Sequence, residues 1–374
     1  MTQDTQVYVR LDTPQNLWLV ANELLTCQVW LDGGRLLWTV LRGDDATRVA
    51  VAPSALPGLA LALATDRQPV AWRGRVDARE LEQADGSRVL CLELESQDGS
   101  LRFARCFQVF PGQPVVRLWG AAENQGGTPF IVTCSQILNM DVPIVPMEDF
   151  LTLFHVEQFS WVYRRDFFSQ NQARVHPGRA PIEIRMGSFP SCFWGPTSCA
   201  WLAVRDGPVD KPDAIPHQGA GLVVGIEFNG KSRLRAWAEA GVAHLVSTVD
   251  DLNHRVGPGE VFEVPACFVG LFEGDWDEAG YVTQRFAEAH VHPPMPDARY
   301  PWVQYNTWGQ GRDIREAQQL AAMERCAEMG VYIEGRGLSR YSCHMSVPRS
   351  SASIDASRSS LVRYDRVLLF FLLI

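Results

Sequence analysis

The chain has 374 residues and a formal net charge of −9 at pH 7, and hydrophobic residues make up 46% of it. Its 12 Trp and 18 Phe can bury a large core, so the composition excludes a globally disordered protein. The acidic balance argues against a nucleic-acid partner, because neutralising phosphates needs a basic face, and no apolar run reaches the ~20 residues of a membrane span.

The first 270 residues or so show short apolar or alternating runs that Gly, Pro, Asp and Asn interrupt. The run Val89–Leu94, the turn Gln97–Ser100 and the run Leu101–Phe103 together predict a β-hairpin. Repeated short strands of this kind are typical of an all-β sandwich. Because the region is too long for one small sandwich, we predict a large, many-stranded β-sandwich domain over residues 1–290.

The cysteines and histidines indicate no metal or disulfide framework. The nine Cys form no C-x-x-C pair, and the eight His do not cluster at the spacing of metal ligands. The N-terminal residues Met1–Gln6 have neither the basic nor the apolar region of a secretory signal. We therefore expect buried, reduced thiols in a cytoplasmic protein.

The first clear helix signal comes late in the chain. Asp275 is a predicted N-cap, and the helix that follows runs to about His290. One face of this helix is apolar. Its residues are Ala279, Val282, Phe286 and Ala289. The Pro-rich segment 291–300 cannot continue a helix, so we predict a linker and a domain boundary there.

The next segment predicts a strand, a helix and a second strand. The run Tyr300–Asn306 has the pattern of a buried strand. Asp313 and Glu316 form a capping box for a helix that ends at Gly330. The run Val331–Ile333 begins the second strand. A strand, helix and strand at this spacing form a βαβ unit, which predicts a parallel sheet.

These residues resemble a known family. The segment Pro301–Gly309, PWVQYNTWG, is similar to the first barrel strand of melibiase-like α-galactosidases of glycoside hydrolase family 36. Four segments resemble parts of the family's N-terminal β-supersandwich: 159–164, 181–188, 257–265 and 270–275. The resemblance implies a mainly β fold in which a large supersandwich precedes a (β/α)8 barrel, and residues 301–334 are the start of that barrel.

The resemblance implies retaining hydrolysis of terminal α-galactosides without metal or cofactor, in which one barrel carboxylate is the nucleophile and another is the acid/base. In the family these carboxylates lie on the fourth and sixth barrel strands. A complete barrel needs roughly 250 residues, and 74 remain from Pro301. We therefore expect no catalytic residue in this chain and predict a truncated, inactive form of the enzyme.

Three candidate sugar contacts lie at the start of the predicted barrel. Trp308 follows the first strand, at the end of a barrel where active-site groups gather. The resemblance makes it a candidate wall of the sugar pocket, and it makes Asn306 and Tyr305 weaker candidates of the same kind. Packing of Trp308 in the core is the alternative.

Further candidates lie in the part of the sandwich that resembles the family. Trp161 and Trp194 are candidate substrate-binding residues there, and Trp201 is a third Trp of the same region. An exposed Trp can stack on a pyranose ring through its apolar face. Packing in the β-core is the alternative for each of them, because a Trp side chain buries a large area.

The last 40 residues differ from the rest of the chain. Residues 335–374 hold six Arg and two Asp but no Lys, Glu or Trp, so they carry +4, which leaves −13 for residues 1–334. After the second strand the family has an Asp-Gly-Trp-like turn, and the residues Glu334–Arg340 lack it. We hypothesise that the reading frame changes at about residues 331–335 and expect an aberrant, disordered tail. A genuine divergent tail is the alternative.

Two functions follow as hypotheses. The first is an α-galactosidase-like glycoside hydrolase of carbohydrate metabolism, whose partner is a terminal α-galactoside. The alternative is a non-catalytic carbohydrate-binding or scaffold protein in which the sandwich alone acts. The sequence leaves the exact sugar and the oligomeric state open, and a homo-oligomer is one of the alternatives.

Overall fold

The structure is a computed structural model of the chain. It describes residues 6–12, 16–32, 35–43, 49–55, 59–63, 66–69, 72–144, 150–158, 168–186, 197–206, 220–228, 230–249, 252–292, 303–305, 315–328 and 345–347. The chain divides into two compact units, Met1–His292 and Pro293–Ile374.

The first unit is built mainly from antiparallel strands, which confirms the predicted mainly β fold class. Its strands are β1 (Tyr8–Asp12), β2 (Leu17–Ala21), β3 (Leu25–Asp32), β4 (Arg35–Arg42), β5 (Val49–Ala55), β6 (Leu59–Leu63), β7 (Asp66–Pro69), β8 (Trp72–Glu82), β9 (Arg88–Ser96), β10 (Leu101–Val109), β11 (Val115–Asn124), β12 (Phe130–Pro143), β13 (Leu151–Gln158), β14 (Phe168–Val175), β15 (Ile182–Met186), β16 (Thr197–Asp206), β17 (Ala220–Ile226), β18 (Ser232–Glu239), β19 (Val242–Val249), β20 (His254–Val256) and β21 (Val261–Glu273). The predicted hairpin corresponds to β9 and β10.

Hydrogen-bonded pairing arranges these strands in two sheets. The front sheet has the antiparallel order β8-β9-β10-β11-β21-β17-β16-β13-β14. The back sheet has the antiparallel order β1-β2-β3-β4-β5-β12-β19-β18-β15. Strands β6 and β20 also pair with β12, and β7 pairs with β6. A parallel bridge between Met186 and Ser198 joins β15 to β16.

The core lies between the two sheets because inward-facing residues are apolar. Strand β18 shows the alternation: Leu234 and Ala236 are fully buried, whereas Arg235 is exposed. Contributions to this core from both sheets include the fully buried side chains of Phe107 and Met140. Burying a side chain of this size contributes about 1.5–3 kcal/mol, so the two apolar faces hold the sheets together.

One helix, α1 (Trp276–Phe286), covers part of the outer face of the front sheet and continues as a π-helical turn over Ala287–Val291. The carboxylate of Asp275 accepts hydrogen bonds from the backbone N–H groups of the first turn, which confirms the predicted N-cap. The helix lies close to β21 because Gly270 has no side chain. A Cβ there would lie only 3.0 Å from Val282 Cγ1.

A disulfide joins Cys91 and Cys106 across β9 and β10, where the two residues stand directly opposite each other. The Cα–Cα distance is 4.1 Å. The expectation that the cysteines are reduced thiols is therefore wrong for this pair, because the hairpin register brings together two residues whose spacing has no recognisable motif. Cys27 and Cys267 are free, buried thiols. Disulfides are rare in the cytosol, so the expected cytoplasmic location stays a prediction.

The described part of the second unit comprises β22 (Val303–Tyr305), α2 (Glu316–Glu328) and β23 (Met345–Val347). Strand β22 pairs antiparallel with β23, which falls in the segment expected to be disordered. The parallel partner predicted at Val331–Ile333 lies outside the described residues, so the barrel start stays a prediction. Leu320 on α2 is 51% exposed.

Candidate functional site

The five predicted sugar contacts are not brought together by the described residues. Trp161, Trp194, Asn306 and Trp308 lie outside the described part of the chain. Tyr305 is the last residue of β22, and only its backbone is described. The sugar pocket that these residues would form therefore stays a prediction.

Trp201 is a core residue on β16. Its ring lies 5.9 Å from that of Phe154, and it packs on the apolar cluster beneath α1. The cluster also contains Phe268 and Phe286, whose ring centroids lie 4.6 Å apart. Trp201 therefore packs against the apolar cluster and is not an exposed sugar contact. It lies on the face of the sheet that the helix covers.

A row of polar and aromatic side chains crosses the outer face of the back sheet. Trp237 on β18 stands opposite His244 on β19, which stands opposite Asp141 on β12. The rings of Trp237 and His244 are stacked, with centroids 5.1 Å apart. His244 Nδ1 lies 2.7 Å from Asp141 Oδ1. We call these three residues the outer row.

The outer row keeps several hydrogen-bonding atoms available. In the neutral form of His244, the contact with Asp141 places the proton on Nδ1 and leaves Nε2 as an acceptor. Neither His244 Nε2 nor the indole N–H of Trp237 has a partner within the described ranges. The side chains of His244 and Asp141 are 26% and 27% exposed, and Trp237 is half-buried. The row can therefore bind a ligand that both donates and accepts hydrogen bonds.

Charged side chains flank the outer row. The guanidinium of Arg235, an exposed residue, lies 5.9 Å from the Trp237 ring centroid. On the neighbouring strands, Arg233 Nη1 and Glu183 Oε1 are 2.7 Å apart. The outward-facing charged residues of β12, β15, β18 and β19 are three arginines and three carboxylates, so their charges cancel. They are Arg185, Arg233, Arg235, Asp141, Glu183 and Glu239.

A second polar cluster lies at the end of α1. His290 Nδ1 is 3.5 Å from Asp85 Oδ2, and His290 Nε2 is 3.0 Å from Gln113 Nε2. Burial lowers the pKa of His290 below its ordinary value, so the ring is neutral at pH 7. Burial opposes ionisation of Asp85, but hydrogen bonds from Ser87 outweigh it and the pKa of Asp85 is lowered. The cluster ties the last turn of the helix to two hairpin turns of the front sheet.

Arg105 is a charged residue in the interior of the first unit, and its side chain is completely buried. Its Nη2 donates to the carbonyl oxygen of Ile137 at 3.1 Å, and the Cys267 thiol lies 3.5 Å from the same oxygen. Burial lowers the pKa of Arg105 and raises the pKa of Cys267 to about 12. Cys267 therefore stays a protonated thiol and lacks the thiolate that a nucleophile needs.

A cavity of about 60 Å³ opens between the sheets at one end of the sandwich. Arg42 Nη2 donates to Gly221 O at 2.8 Å, and Arg205 Nη1 donates to Gly274 O at 3.0 Å. This volume is well below the roughly 300 Å³ at which pockets for small molecules begin, so the cavity is too small for a sugar ring. Over the described ranges, no group of three His, Cys, Asp or Glu side chains could hold a metal ion, and no described helix could cross a membrane.

Comparison with known proteins gives a fold but no sequence relative. No family model and no curated protein matches the sequence. The solved structures that resemble it include GH36 α-galactosidase AgaB from Geobacillus stearothermophilus, with a TM-score of 0.64 and 14% identity over 87% of this chain and 49% of that one. The α-galactosidase from Lactobacillus brevis has a TM-score of 0.57 and 10% identity over 86% of this chain and 48% of that one.

A third similar structure is a variant of GH36 α-galactosidase AgaA from Geobacillus stearothermophilus in complex with stachyose. Its TM-score is 0.58, with 14% identity over 85% of this chain and 49% of that one. The chain thus spans about half the length of each of these structures. At these identities the likeness is one of fold, and the fold it shows is that of glycoside hydrolases of the α-galactosidase type.

Proposed function

We propose that this chain is the N-terminal part of an α-galactosidase-like glycoside hydrolase that acts on terminal α-galactosides. The observation that supports this proposal is the fold match with GH36 α-galactosidases over 85–87% of the chain. The segment Pro301–Gly309, which resembles the first barrel strand of the same family, agrees with this proposal, although no family model matches the sequence.

The proposed chemistry is retaining hydrolysis. Two carboxyl groups about 5–5.5 Å apart would carry it, one as the nucleophile that forms a glycosyl-enzyme intermediate and one as the acid/base. We propose that both belong to barrel strands beyond the segment 301–334. The 374-residue chain alone would then bind at most part of the substrate and would not hydrolyse it.

An assay with an aryl α-galactoside tests this proposal. We expect no hydrolysis by the purified 374-residue chain, and turnover by a chain extended in the reading frame that restores a barrel after codon 330. Turnover by the 374-residue chain would refute its inactivity. If neither alternative frame encodes a barrel continuation, the frame-change hypothesis fails. If a restored, folded barrel hydrolyses no α-galactoside, the proposed activity fails.

The second candidate function is a non-catalytic carbohydrate-binding protein. The outer row favours it, because its available donors and acceptors lie on the sandwich itself. Saccharide binding by the 374-residue chain, together with no activity in any extended form, would select this candidate over the enzyme.

A further inference from the structure

We propose that the outer row, Asp141, His244 and Trp237, together with Arg235, is a binding site for a neutral saccharide on the outer face of the back sheet. All four residues belong to the first unit, whereas the proposed hydrolysis requires carboxylates of barrel strands. The inference relies on the proposed function only for the choice of a galactose-containing probe.

The spacing of the row suits a short saccharide. Trp237, His244 and Asp141 occupy three adjacent strands in direct register. Neighbouring strands lie about 4.8 Å apart, so the row extends for about 10 Å. Its three side chains stand on the same face of the sheet, and a ligand that lies across the strands would meet all of them.

The hydrogen-bonding pattern suits hydroxyl groups. Trp237 offers an indole N–H, His244 offers Nε2 as an acceptor, and the Asp141 carboxylate can accept further bonds beside the one to His244. Arg235 adds guanidinium donors at the edge of the row. A sugar hydroxyl both donates and accepts, so vicinal hydroxyls could satisfy all of these groups. A sulfate only accepts hydrogen bonds, and the Asp141 carboxylate would repel it.

The charge of the face selects a neutral ligand. On β12, β15, β18 and β19, three arginines and three carboxylates face outward, and their charges cancel. Neither a polyanion nor a polycation would therefore gain long-range attraction. The half-buried Trp237 ring is stacked on His244 and contributes its apolar edge beside the polar groups of the row, which suits a ligand with both apolar and polar parts.

The row is not needed to hold the sheet together. The single hydrogen bond between the partly exposed side chains of Asp141 and His244 contributes little to stability, and the core lies on the other face of β18 and β19. The Asp141–His244 pair instead fixes the orientation and tautomer of the imidazole, as a binding site requires.

The test is calorimetric titration of the full 374-residue chain with stachyose, a neutral galactose-containing tetrasaccharide. We expect binding with a millimolar Kd, at least tenfold weaker binding by Trp237→Ala, and about fivefold weaker binding by Asp141→Asn. The matched control is Trp119→Ala, because Trp119 is a half-buried Trp on the outer face of the other sheet with Arg117 5.4 Å from its ring. We expect this control to bind like the parent chain.

Two results would overturn the proposal. One is the absence of stachyose binding by the parent chain up to about 50 mM, beyond the millimolar range. The other is equal binding by the parent chain and the folded variants Trp237→Ala and Asp141→Asn. If Trp237→Ala does not fold, as judged by its thermal unfolding, Asp141→Asn decides alone. Binding that survives in these variants while an extended chain hydrolyses α-galactosides would refute this site and leave the proposed enzyme intact.

Discussion

The outer faces of the two sheets differ although both sheets follow the same alternation. On the front sheet, the outward residues of β17 and β21 are apolar, as Val223, Phe268 and Phe272 show, and α1 buries them. On the back sheet, the outward residues of β18 and β19 include Arg235, exposed to solvent, and the half-buried His244. The covered face is therefore structural, whereas the open face keeps polar groups available for a ligand.

The largest change in stability is expected where α1 packs on the front sheet, and it tests whether the two outer faces differ as described. Phe286 is the last residue of α1, and its side chain is completely buried between the helix and the front sheet. Phe286→Ala should therefore lower the free energy of unfolding by about 3–5 kcal/mol, through the lost contacts and the cavity that remains. Tyr281→Ala, on the exposed side of the same helix, should change it by less than about 0.5 kcal/mol. Urea denaturation measures both values, and similar losses would mean that α1 does not cover the sheet.

The disulfide on the front sheet should have the next largest effect. A crosslink that closes a loop of 15 residues restricts the unfolded chain, so replacing Cys91 and Cys106 by Ala should cost about 3 kcal/mol. A reductant should destabilise the parent protein by a similar amount and leave the double variant unchanged. If the reductant has no effect on the parent protein, the two thiols are not joined.

The N-cap of α1 should have a smaller effect. Asp275 accepts hydrogen bonds from Asp277 N and Glu278 N, at 3.0 and 3.2 Å. Asp275→Ala should therefore cost about 1 kcal/mol in urea denaturation, and Asp275→Ser should restore most of it. Equal losses in the two variants would indicate that the carboxylate charge, and not the cap, stabilises the helix.

The smallest expected effect is a pH dependence at the end of α1. Burial lowers the pKa of His290 below its unfolded value of about 6.5, so the folded state binds the proton less tightly than the unfolded state. The stability that His290 contributes is therefore present above about pH 6.5 and is lost as the pH falls through that value toward the lower folded pKa. Asp85 and Arg117 act on the same ring in opposite directions.

The variant His290→Gln isolates this contribution. It keeps a polar side chain beside Gln113 but does not titrate. As the pH is lowered from 7 to 5, its unfolding free energy should therefore fall less steeply than that of the parent protein. The other histidines are the same in both proteins and cancel in the comparison. Parallel pH profiles would show that His290 does not titrate differently in the folded state.

Local patterns determined much of the fold from the sequence alone. The hairpin of β9 and β10 was predictable from alternation and the turn Gln97–Ser100, because a strand period and a turn involve neighbouring residues. The helix α1 and its cap at Asp275 were predictable for the same reason. The prediction that Trp residues form a sugar pocket depends on the family resemblance alone, because no local pattern in the sequence indicates such a pocket.

The contacts between strands that are distant in the sequence were decided only by the tertiary structure. Asp141 and His244 are 103 residues apart, and they meet because β12 pairs with β19 in one particular register. The alternation in β18 places Trp237 and Leu234 on opposite faces, but it does not say which face a helix covers. The pairing of Cys91 with Cys106 depends on register in the same way. Sequence periodicity determines the two faces of each strand, whereas the neighbours on each face follow from packing over the whole chain.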